Sequence, residues 1–332
     1  MHWRIKGLIQ KVMSYMPARD QAYYLLQRRL GTFRNFPGEF EGKVDDWRIM
    51  VGHLAAAGRP VPGAHLFEIG TGWYPTFPFA CYLAGAARVV TVDLNRHLKV
   101  DMTRGCAELI GKHLPLVAAA CQIPIDGVRE RYDRLLATLD DRLDIGAATG
   151  GVIDYRAPAD ARDTGLPAAS LDCVFSNSVL EHVPAAAIAA MYRESKRILR
   201  PGGLMFHSVN CGDHYARFDR SISQLHYLRY SDTAWWLWQN EFLYQNRLRA
   251  IEFVKMATDA GFDIALNTAA PSAQRLRELG DLPVHPQFAG RFRPEELCIT
   301  SIDFIGKKPA ATVSDGVVPN PPERFPLDLH GA

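Results

Sequence analysis

Two short segments combine glycine with carboxylates at a spacing that suits a nucleoside ligand. Residues 68–72 read EIGTG, and Asp93 follows Gly72 by 21 residues at the end of a β-branched run. Glycines at a strand-to-helix turn let the backbone approach a ligand closely, and a carboxylate at the tip of the next strand can accept hydrogen bonds from both ribose hydroxyls. The pair predicts a nucleoside site, with an ordinary strand-to-helix turn as the alternative.

The glycine loop departs from the dinucleotide-binding pattern. In GxGxxG the third glycine would fall at position 75, which is Pro75, so the pyrophosphate fingerprint is incomplete. S-adenosylmethionine (SAM) contains a nucleoside but no phosphate, and its amino-acid portion needs a carboxylate near the loop, a role open to Glu68. Asp160, followed by Ala161, is a further candidate that could read an adenine edge. Asp163 competes for that role, and a solvated loop carboxylate is the alternative for either.

Histidines and aromatic residues are the candidates for chemistry on a second substrate. If that substrate is a hydroxyl, a positioned base helps to remove its proton, and histidine suits the role near neutral pH. The candidates are His182, His207 and His214, the last beside Asp213, and His214 could instead brace a loop. Residues 226–244 are rich in tyrosine and tryptophan, which either line a pocket or pack on the core. The predicted substrate-binding residues are Tyr230, Trp235 and Arg247, with Arg249 as a further candidate for an anionic acceptor.

Several of these residues fall at the ends of predicted parallel strands. Apolar runs at 65–70 and 88–93, which stop at glycine or a carboxylate, predict buried strands joined by a helix at 77–83. A second helix is predicted at 185–199, ended by the proline and glycines of residues 200–203. The further predicted strands are 151–155, 171–176, 203–208, one after Gly261, and 298–305. The alternation predicts an α/β domain.

Two segments flank the predicted catalytic domain, which runs from 61 to 308, and two further segments lie within it. Residues 1–60 have apolar residues at helical spacing and predict an N-terminal helical cap. The helical pattern at about 95–150 is too long for one crossover helix and predicts an insertion, and an aromatic acceptor cover is predicted at about 210–250. Residues 309–332 are rich in proline and predict a flexible tail.

The first residues of the cap suggest an amphipathic helix. Apolar residues recur through 1–16 at nearly helical spacing, with Arg4, Lys6 and Lys11 between them. The favoured interpretation is a helix that packs its apolar face over the catalytic domain. Weak contact with an anionic membrane surface is the alternative.

Two ordered motifs carry a resemblance to a known family. Residues 166–183 (LPAASLDCVFSNSVLEHV) and 199–203 (LRPGG), which follow the glycine loop and Asp93, resemble class I SAM-dependent methyltransferases over roughly two thirds of the chain. The sequence looks closest to the bacterial branch that acts on small molecules. With residues 70–75 and 244–249, it is similar to methyltransferases often found beside sugar- and polysaccharide-modifying enzymes.

The resemblance implies an α/β fold with a Rossmann-like sheet of seven strands, the last antiparallel, and SAM at the carboxyl ends of the strands. It assigns the glycine loop to the methionine portion of SAM, Asp93 to the ribose, and the loop at Asp160 to the adenine. Tyr74 stands where a third glycine is common, which leaves the path of the loop open. The predicted cofactor-binding residues are Glu68, Gly70, Thr71, Gly72, Asp93, Leu94, Asp160, Ala161, Ser176 and Asn177, the last two as the floor under the sulfonium.

Composition and charge narrow the classes of partner and location. The chain of 332 residues has a net charge of +2, with Lys and Arg spread along it, so a nucleic-acid partner is not expected. The six cysteines form no CxxC pair and lack zinc-type histidine spacing, which predicts a reducing cytoplasm and no metal. No apolar run approaches the roughly 20 residues that span a bilayer.

These features predict a methyltransferase that transfers the methyl group of SAM to a small molecule, at an oxygen of a sugar or natural product. Methyl transfer is an in-line displacement, so the enzyme must align the acceptor and exclude water. His182 and His214 are the predicted catalytic residues. Two alternatives stay open: a SAM- or nucleoside-binding regulatory or scaffolding protein without transfer activity, and an NAD-linked oxidoreductase.

Overall fold

The fold is described by a computed structural model, which covers residues 2–15, 19–140, 142, 144–240 and 242–310. Residues 311–332 of the predicted tail lie outside these residues, and so does Met16 of the predicted first helix. The strands are β1 (His65–Ile69), β2 (Arg88–Val92), β3 (Ile153–Arg156), β4 (Leu171–Asn177), β5 (Leu199–Asn210), β6 (Asp263–Asn267) and β7 (Ser301–Lys307).

The seven strands form one mixed sheet in the order β3-β2-β1-β4-β5-β7-β6. Strands β1 to β5 pair in parallel, whereas β7 is antiparallel to both β5 and β6. The predicted Rossmann-like sheet with an antiparallel last strand is therefore confirmed. The chain reverses its direction of winding between β1 and β4, and in open α/β sheets ligands bind at the carboxyl ends of the strands beside such a point.

Helices cover both faces of the sheet. The predicted helices at 77–83 and 185–199 correspond to α4 (Thr76–Leu83) and α9 (Ala185–Ile198). Helix α9 ends at Ile198 because β5 begins at the next residue, before the glycine pair. Among the described residues, every helix is too short or too polar to cross a membrane. The helices are α1 (Trp3–Ser14), α2 (Arg19–Leu30), α3 (Phe36–Ala56), α4 (Thr76–Leu83), α5 (Val100–Ile110), α6 (Leu114–Cys121), α7 (Ile125–Thr138), α8 (Ile145–Ala148), α9 (Ala185–Ile198), α10 (Asp232–Trp236), α11 (Ala250–Asp259), α12 (Ala273–Gly280), α13 (Pro286–Ala289) and α14 (Pro294–Leu297).

Helix α3 is built into the main core. Phe40, Val44, Trp47, Met50 and Leu54 recur at three- and four-residue spacing, which places them on one face of the helix. All five are buried in one cluster with residues of α4, β1 and β4, and helices of the 95–150 segment join the same cluster. The N-terminal helices thus cover one face of the sheet and reach its carboxyl edge.

Helix α1 packs in the opposite orientation to the favoured prediction. Its buried positions are Trp3, Lys6, Gly7, Gln10 and Ser14, so the mainly polar side of the helix faces the protein. The reason is Trp3, which enters an aromatic cluster with ring centroids 4.8 Å from Trp238 and 6.3 Å from Trp235 and fixes the rotation of the helix. The large apolar residues of the helix that are left exposed are Ile5, Leu8, Ile9 and Val12.

Candidate active site

A cavity of about 430 Å³ lies at the carboxyl ends of β1, β2 and β4, and we call it the first cavity. Its size and place suit a nucleoside-containing ligand at the winding reversal of the sheet. Trp73, Tyr74 and His97 complete part of its wall, together with residues of α3. The predicted cofactor-binding residues that line it are Glu68, Gly70, Thr71, Gly72, Asp93, Leu94 and Asn177.

The glycine turn after β1 needs glycine for two different reasons. Gly70 has a φ of +85°, and a Cβ atom there would lie 2.5 Å from Cγ2 of Val179. Gly72 has a φ of +73°, but nothing lies within 4 Å of the position of a Cβ atom. Both residues occupy the left-handed region that side chains disfavour, and Gly70 also allows β1 and the residues after β4 to approach closely.

Asp93 at the end of β2 is held by the turn that it faces. One carboxylate oxygen accepts the backbone N–H of Gly72 at 2.9 Å, and the other accepts that of Asn95 at 3.3 Å. A carboxylate has about four acceptor positions, so two backbone bonds leave capacity for further donors. The prepositioned Asp93 carboxylate can therefore accept hydrogen bonds from a diol such as a ribose.

Glu68 is the buried acid of the site. It is 5% exposed and accepts a hydrogen bond from the hydroxyl of Thr91, which in turn contacts the hydroxyl of Thr71. Burial raises the pKa of Glu68 to about 8, although the hydrogen bond from Thr91 and the nearby Lys43 act in the other direction. A carboxyl group with this pKa binds a proton or a nearby cation, so Glu68 is suited to interact with an ammonium group.

Lys43 of α3 is a functional candidate that the sequence analysis did not identify. Its ammonium group donates to Oδ1 of Asn177, whose Nδ2 donates to Oδ2 of Asp46 at 3.2 Å. Burial lowers the pKa of Lys43. A signal was present in the sequence, because residue 43 falls between the apolar positions of Phe40 and Trp47 on one face of the helix. A lysine at such a position has a buried stem and a charge that must find a partner.

Two aromatic residues, Trp73 and Tyr74, directly follow the glycines of the loop. Trp73 stacks on Tyr24 of α2 with ring centroids 5.5 Å apart, and Tyr74 meets Phe36 of α3 edge to face at 4.8 Å. Both also line the first cavity. The loop path that Tyr74 left open therefore runs against the N-terminal helices, which form one wall of the site.

Three predicted cofactor-binding residues lie away from the first cavity. Ser176 is fully buried and bonds Nδ1 of His207 at 2.7 Å, because neighbouring residues of a strand point to opposite faces of the sheet. Asp160 pairs with Arg162, and Ala161 packs in the core beneath the same loop. The loop does lie next to the site, since the N–H of Ala159 donates to the carbonyl of Asp93 at 2.8 Å.

His182 lies where three cavities meet. A second cavity of about 500 Å³ is lined by Glu181, His182 and His214, and a third of about 740 Å³ by His182, Trp235 and Arg247 among others. His182 is the one predicted catalytic residue that lines all three. Its Nδ1 bonds the carbonyl of Tyr244 at 2.6 Å, which leaves Nε2 with the lone pair. The two predicted bases are close, with the rings of His182 and His214 5.0 Å apart.

The other predicted roles of histidine and aspartate are wrong. His207 is fully buried in the sheet, and burial lowers its pKa to about 3, so it stays neutral and away from the cavities. Asp213 does not orient His214, because its carboxylate bonds Nδ1 of His226 at 3.0 Å and the N–H of Tyr215. The neighbour of His214 is Glu181, with 4.0 Å between Nε2 and Oε1. Burial lowers the pKa of His214 well below its usual value.

The predicted acceptor residues have mixed outcomes. Trp235 and Arg247 line the third cavity, but the Arg247 guanidinium is already bonded to Asp232 and to the carbonyls of Tyr227 and Tyr230. Tyr230 does not line that cavity, since its hydroxyl faces Nε2 of His226 at 3.3 Å. Arg249 is fully buried and donates to backbone carbonyls, so it is structural and does not bind an acceptor.

Comparisons with known proteins identify one family model and several similar solved structures. Residues 143–207 match a family model described as a methyltransferase domain, a segment that contains β4, α9 and His182. No curated protein matches the chain. Similar solved structures include a SAM-dependent methyltransferase from Mesorhizobium loti, with 16% identity, a TM-score of 0.42, and coverage of 77% of this chain and 95% of that one. Another is magnesium protoporphyrin IX methyltransferase from Synechocystis PCC 6803 with bound SAH, with 15% identity, a TM-score of 0.41, and coverage of 80% and 83%.

Proposed function

We propose that this chain, a class I methyltransferase that uses SAM, methylates an oxygen of a small molecule such as a sugar or natural product. The observation that carries the proposal is the meeting of three cavities at His182. One cavity has the residues for a nucleoside ligand, and the other two are separate spaces for an acceptor. An enzyme that joins two substrates in line needs this arrangement.

Residues of the first cavity divide the task of holding the methyl donor. Asp93 would accept the ribose hydroxyls, Glu68 would face the ammonium group, and Lys43 is placed to attract the carboxylate. Leu94 and Asn177 would form further parts of the wall. When bound, SAM supplies a methyl group that is already activated by a positive sulfur, so the residues of this chain need only bind, orient and exclude water.

On the acceptor side, His182 is proposed as the group that takes a proton from the hydroxyl. The Tyr244 carbonyl fixes its tautomer, and Nε2 is left to accept the proton. His214 is only 6% exposed, so it is not proposed as the group that first accepts that proton. It is proposed to assist His182, whose ring lies 5.0 Å away. Trp236 of the third cavity is exposed and offers a face on which a sugar ring can stack, whereas the predicted substrate-binding residue Trp235 is 2% exposed and packs in the aromatic cluster behind it.

The test of the donor site compares two aspartates. Asp93→Ala removes the proposed ribose acceptor and should weaken S-adenosylhomocysteine binding by roughly 10- to 100-fold, since hydrogen bonds to a charged group contribute about 1.5–3 kcal/mol. Asp160→Ala is the matched control, because its carboxylate pairs with Arg162 and does not line the cavity. Isothermal titration calorimetry measures both.

Two results of this test would count against the proposal, and a third would change only the role given to Asp160. Unchanged affinity in Asp93→Ala would refute the ribose contact, and an equal loss in Asp160→Ala would restore the predicted adenine role of that residue. Tight NAD binding with no SAM signal would favour the oxidoreductase. Transfer itself is measured by mass spectrometry with candidate sugar and natural-product acceptors, and SAM binding without release of S-adenosylhomocysteine would favour the non-enzymatic alternative.

We propose that the protein works in the cytoplasm and makes weak contact with anionic membranes. The exposed apolar side of α1 supports this contact. Lys11 donates to the carbonyls of Trp236 and Leu237, so the exposed residues of α1 and the exposed Trp236 form one surface. Apolar residues next to cations favour an anionic bilayer surface. Leu8→Ser should reduce sedimentation with anionic vesicles, whereas Leu136→Ser, at an exposed leucine of α7, should not. Equal sedimentation of the wild type with and without vesicles would refute the contact.

A further inference from the structure

Glu181, His182 and His214 bring three groups with lone pairs together beside the second cavity. One ligand atom from each residue lies within 4.8 Å of the other two. Glu181 and His182 belong to the turn after β4, whereas His214 follows β5, so the cluster forms only when the two parallel strands pair. The spacing of these residues in the sequence, at positions 181, 182 and 214, does not match the common zinc-site patterns.

Two members of the cluster have buried side-chain atoms that lack a hydrogen-bond partner among the described residues. Glu181 is 2% exposed, and neither of its carboxylate oxygens has a partner among the described residues. His214 is 6% exposed, and its Nε2 atom also has none. A buried carboxylate without a partner is costly, and the cost falls when the group binds a proton or a cation. The unpartnered atoms of both residues face each other across 4.0 Å.

We infer that Glu181, His182 and His214 bind a divalent transition-metal ion. Two imidazoles with one carboxylate suit Zn²⁺, Fe²⁺, Co²⁺ or Mn²⁺, whereas Mg²⁺ and Ca²⁺ prefer oxygen ligands. Bonds of about 2.1 Å in a tetrahedral site put ligand atoms roughly 3.4 Å apart. The atoms of Glu181 and His214 lie 4.0 Å apart and all three ligand atoms lie within 4.8 Å of one another, so side-chain rotations must bring them closer when an ion binds.

The surroundings hold the turn and the exposed ligand in place. The side-chain amide of Asn246 donates to the carbonyls of Leu180 and Val183, and its backbone N–H donates to that of Glu181. The Tyr244 carbonyl bonds Nδ1 of His182, which leaves Nε2 as the ligand atom. A hydrogen bond from the second ring nitrogen to a carbonyl is the usual way in which a metal-binding histidine is oriented.

The ion site deepens the proposed function, on which its role in catalysis rests. Three protein ligands leave positions open on the ion, and all three residues line the second cavity. Acceptor oxygens can occupy the open positions, and coordination lowers the pKa of a hydroxyl. With an ion bound, Nε2 of His182 is a ligand, so the base role proposed above applies to the metal-free protein.

Metal binding is tested on the full chain without SAM or acceptor, so that its failure is distinct from failure of methyl transfer. The protein is freed of metal by dialysis against a chelator, and Co²⁺ is added while visible absorption is recorded. One equivalent should bind to the wild type with the d–d bands of a site with nitrogen ligands. Glu181→Gln, His214→Ala and His182→Ala should each weaken the binding by at least tenfold. His182 is exposed, so its variant does not put the core at risk.

The control is His113→Ala, which removes a histidine that bonds a carboxylate elsewhere, with Nε2 3.0 Å from Oε1 of Glu41. This variant should keep one equivalent of Co²⁺ at unchanged affinity. The inference is overturned if the wild type binds less than about a tenth of an equivalent. It is also overturned if the His182 and His113 variants lose affinity equally, since that would indicate unspecific binding to surface histidines.

Discussion

Gly70→Ala tests the close approach on which the donor site is built. At a φ of +85°, an alanine pays about 1–2 kcal/mol for the left-handed conformation. Its Cβ atom would also lie 2.5 Å and 3.2 Å from the two Cγ atoms of Val179, and overpacking of this kind costs about 1–3 kcal/mol. The two effects add to a loss of about 2–5 kcal/mol in the free energy of unfolding.

Gly72→Ala separates the two effects. Its φ of +73° carries the same conformational cost, but a Cβ atom there meets nothing within 4 Å. The expected loss is only about 1–2 kcal/mol. The difference between the two variants, about 1–3 kcal/mol, therefore measures the contact with Val179.

Denaturant unfolding of the two variants, and of Gly70→Ala combined with Val179→Ala, provides the assay. Removing the Cγ atoms of Val179 should bring the cost of Gly70→Ala close to that of Gly72→Ala, because the clash is gone. Equal losses for Gly70→Ala and Gly72→Ala would refute the reasoning. An undiminished cost of Gly70→Ala in the Val179→Ala background would refute it as well.

Two further predictions concern buried charged groups. The pKa of Glu68 is raised from 4.5 to about 8 in the folded chain. The folded chain therefore keeps a proton that the unfolded chain releases above about pH 4.5. The free energy of unfolding should fall between pH 4.5 and 8 by up to about 1.4 kcal/mol per pH unit. Unfolding of Glu68→Gln should lack that part of the fall, and parallel pH profiles would contradict it. Arg249→Lys should lower the free energy of unfolding by about 2–3 kcal/mol, because a lysine cannot bond both buried carbonyls. The control Arg291→Lys, at an exposed ion pair, should lower it by less than about 1 kcal/mol. Equal losses in denaturant unfolding would contradict the structural role of Arg249.

The fold and the lining of the first cavity are largely predictable because their signals are local. Buried parallel strands appear as short apolar runs, which located β1 and β2. Glycine at a strand end and an acid at the next strand end meet at one edge of any parallel sheet, so Gly72 and Asp93 are joined by a hydrogen bond. The parallel direction of the strands and the right-handed connection between them place these two residues at one edge of the sheet, whatever their side chains contact.

The wrong predictions concern residues whose partners are distant in sequence. Adjacency in sequence suggests that Asp213 orients His214, yet the carboxylate of Asp213 bonds His226, thirteen residues further on. The resemblance places Ser176 and Asn177 together under the sulfonium, although strand geometry sends neighbouring side chains to opposite faces of the sheet. The orientation of α1 depends on where Trp3 packs, which helical periodicity alone does not determine.

The donor site cannot be separated from the N-terminal helices. Lys43 of α3 bonds Asn177 at the end of β4, and Trp73 and Tyr74 of the glycine loop pack on α2 and α3. Helix α3 also shares its buried cluster with β1 and β4, so a displacement of this helix would move the wall of the first cavity. A boundary near residue 60 marks a change in sequence pattern, whereas the residues that line the first cavity come from both sides of it. Trp73 and Tyr74 of the loop make the aromatic contacts with α2 and α3, and a glycine at either position would remove the contact of that residue.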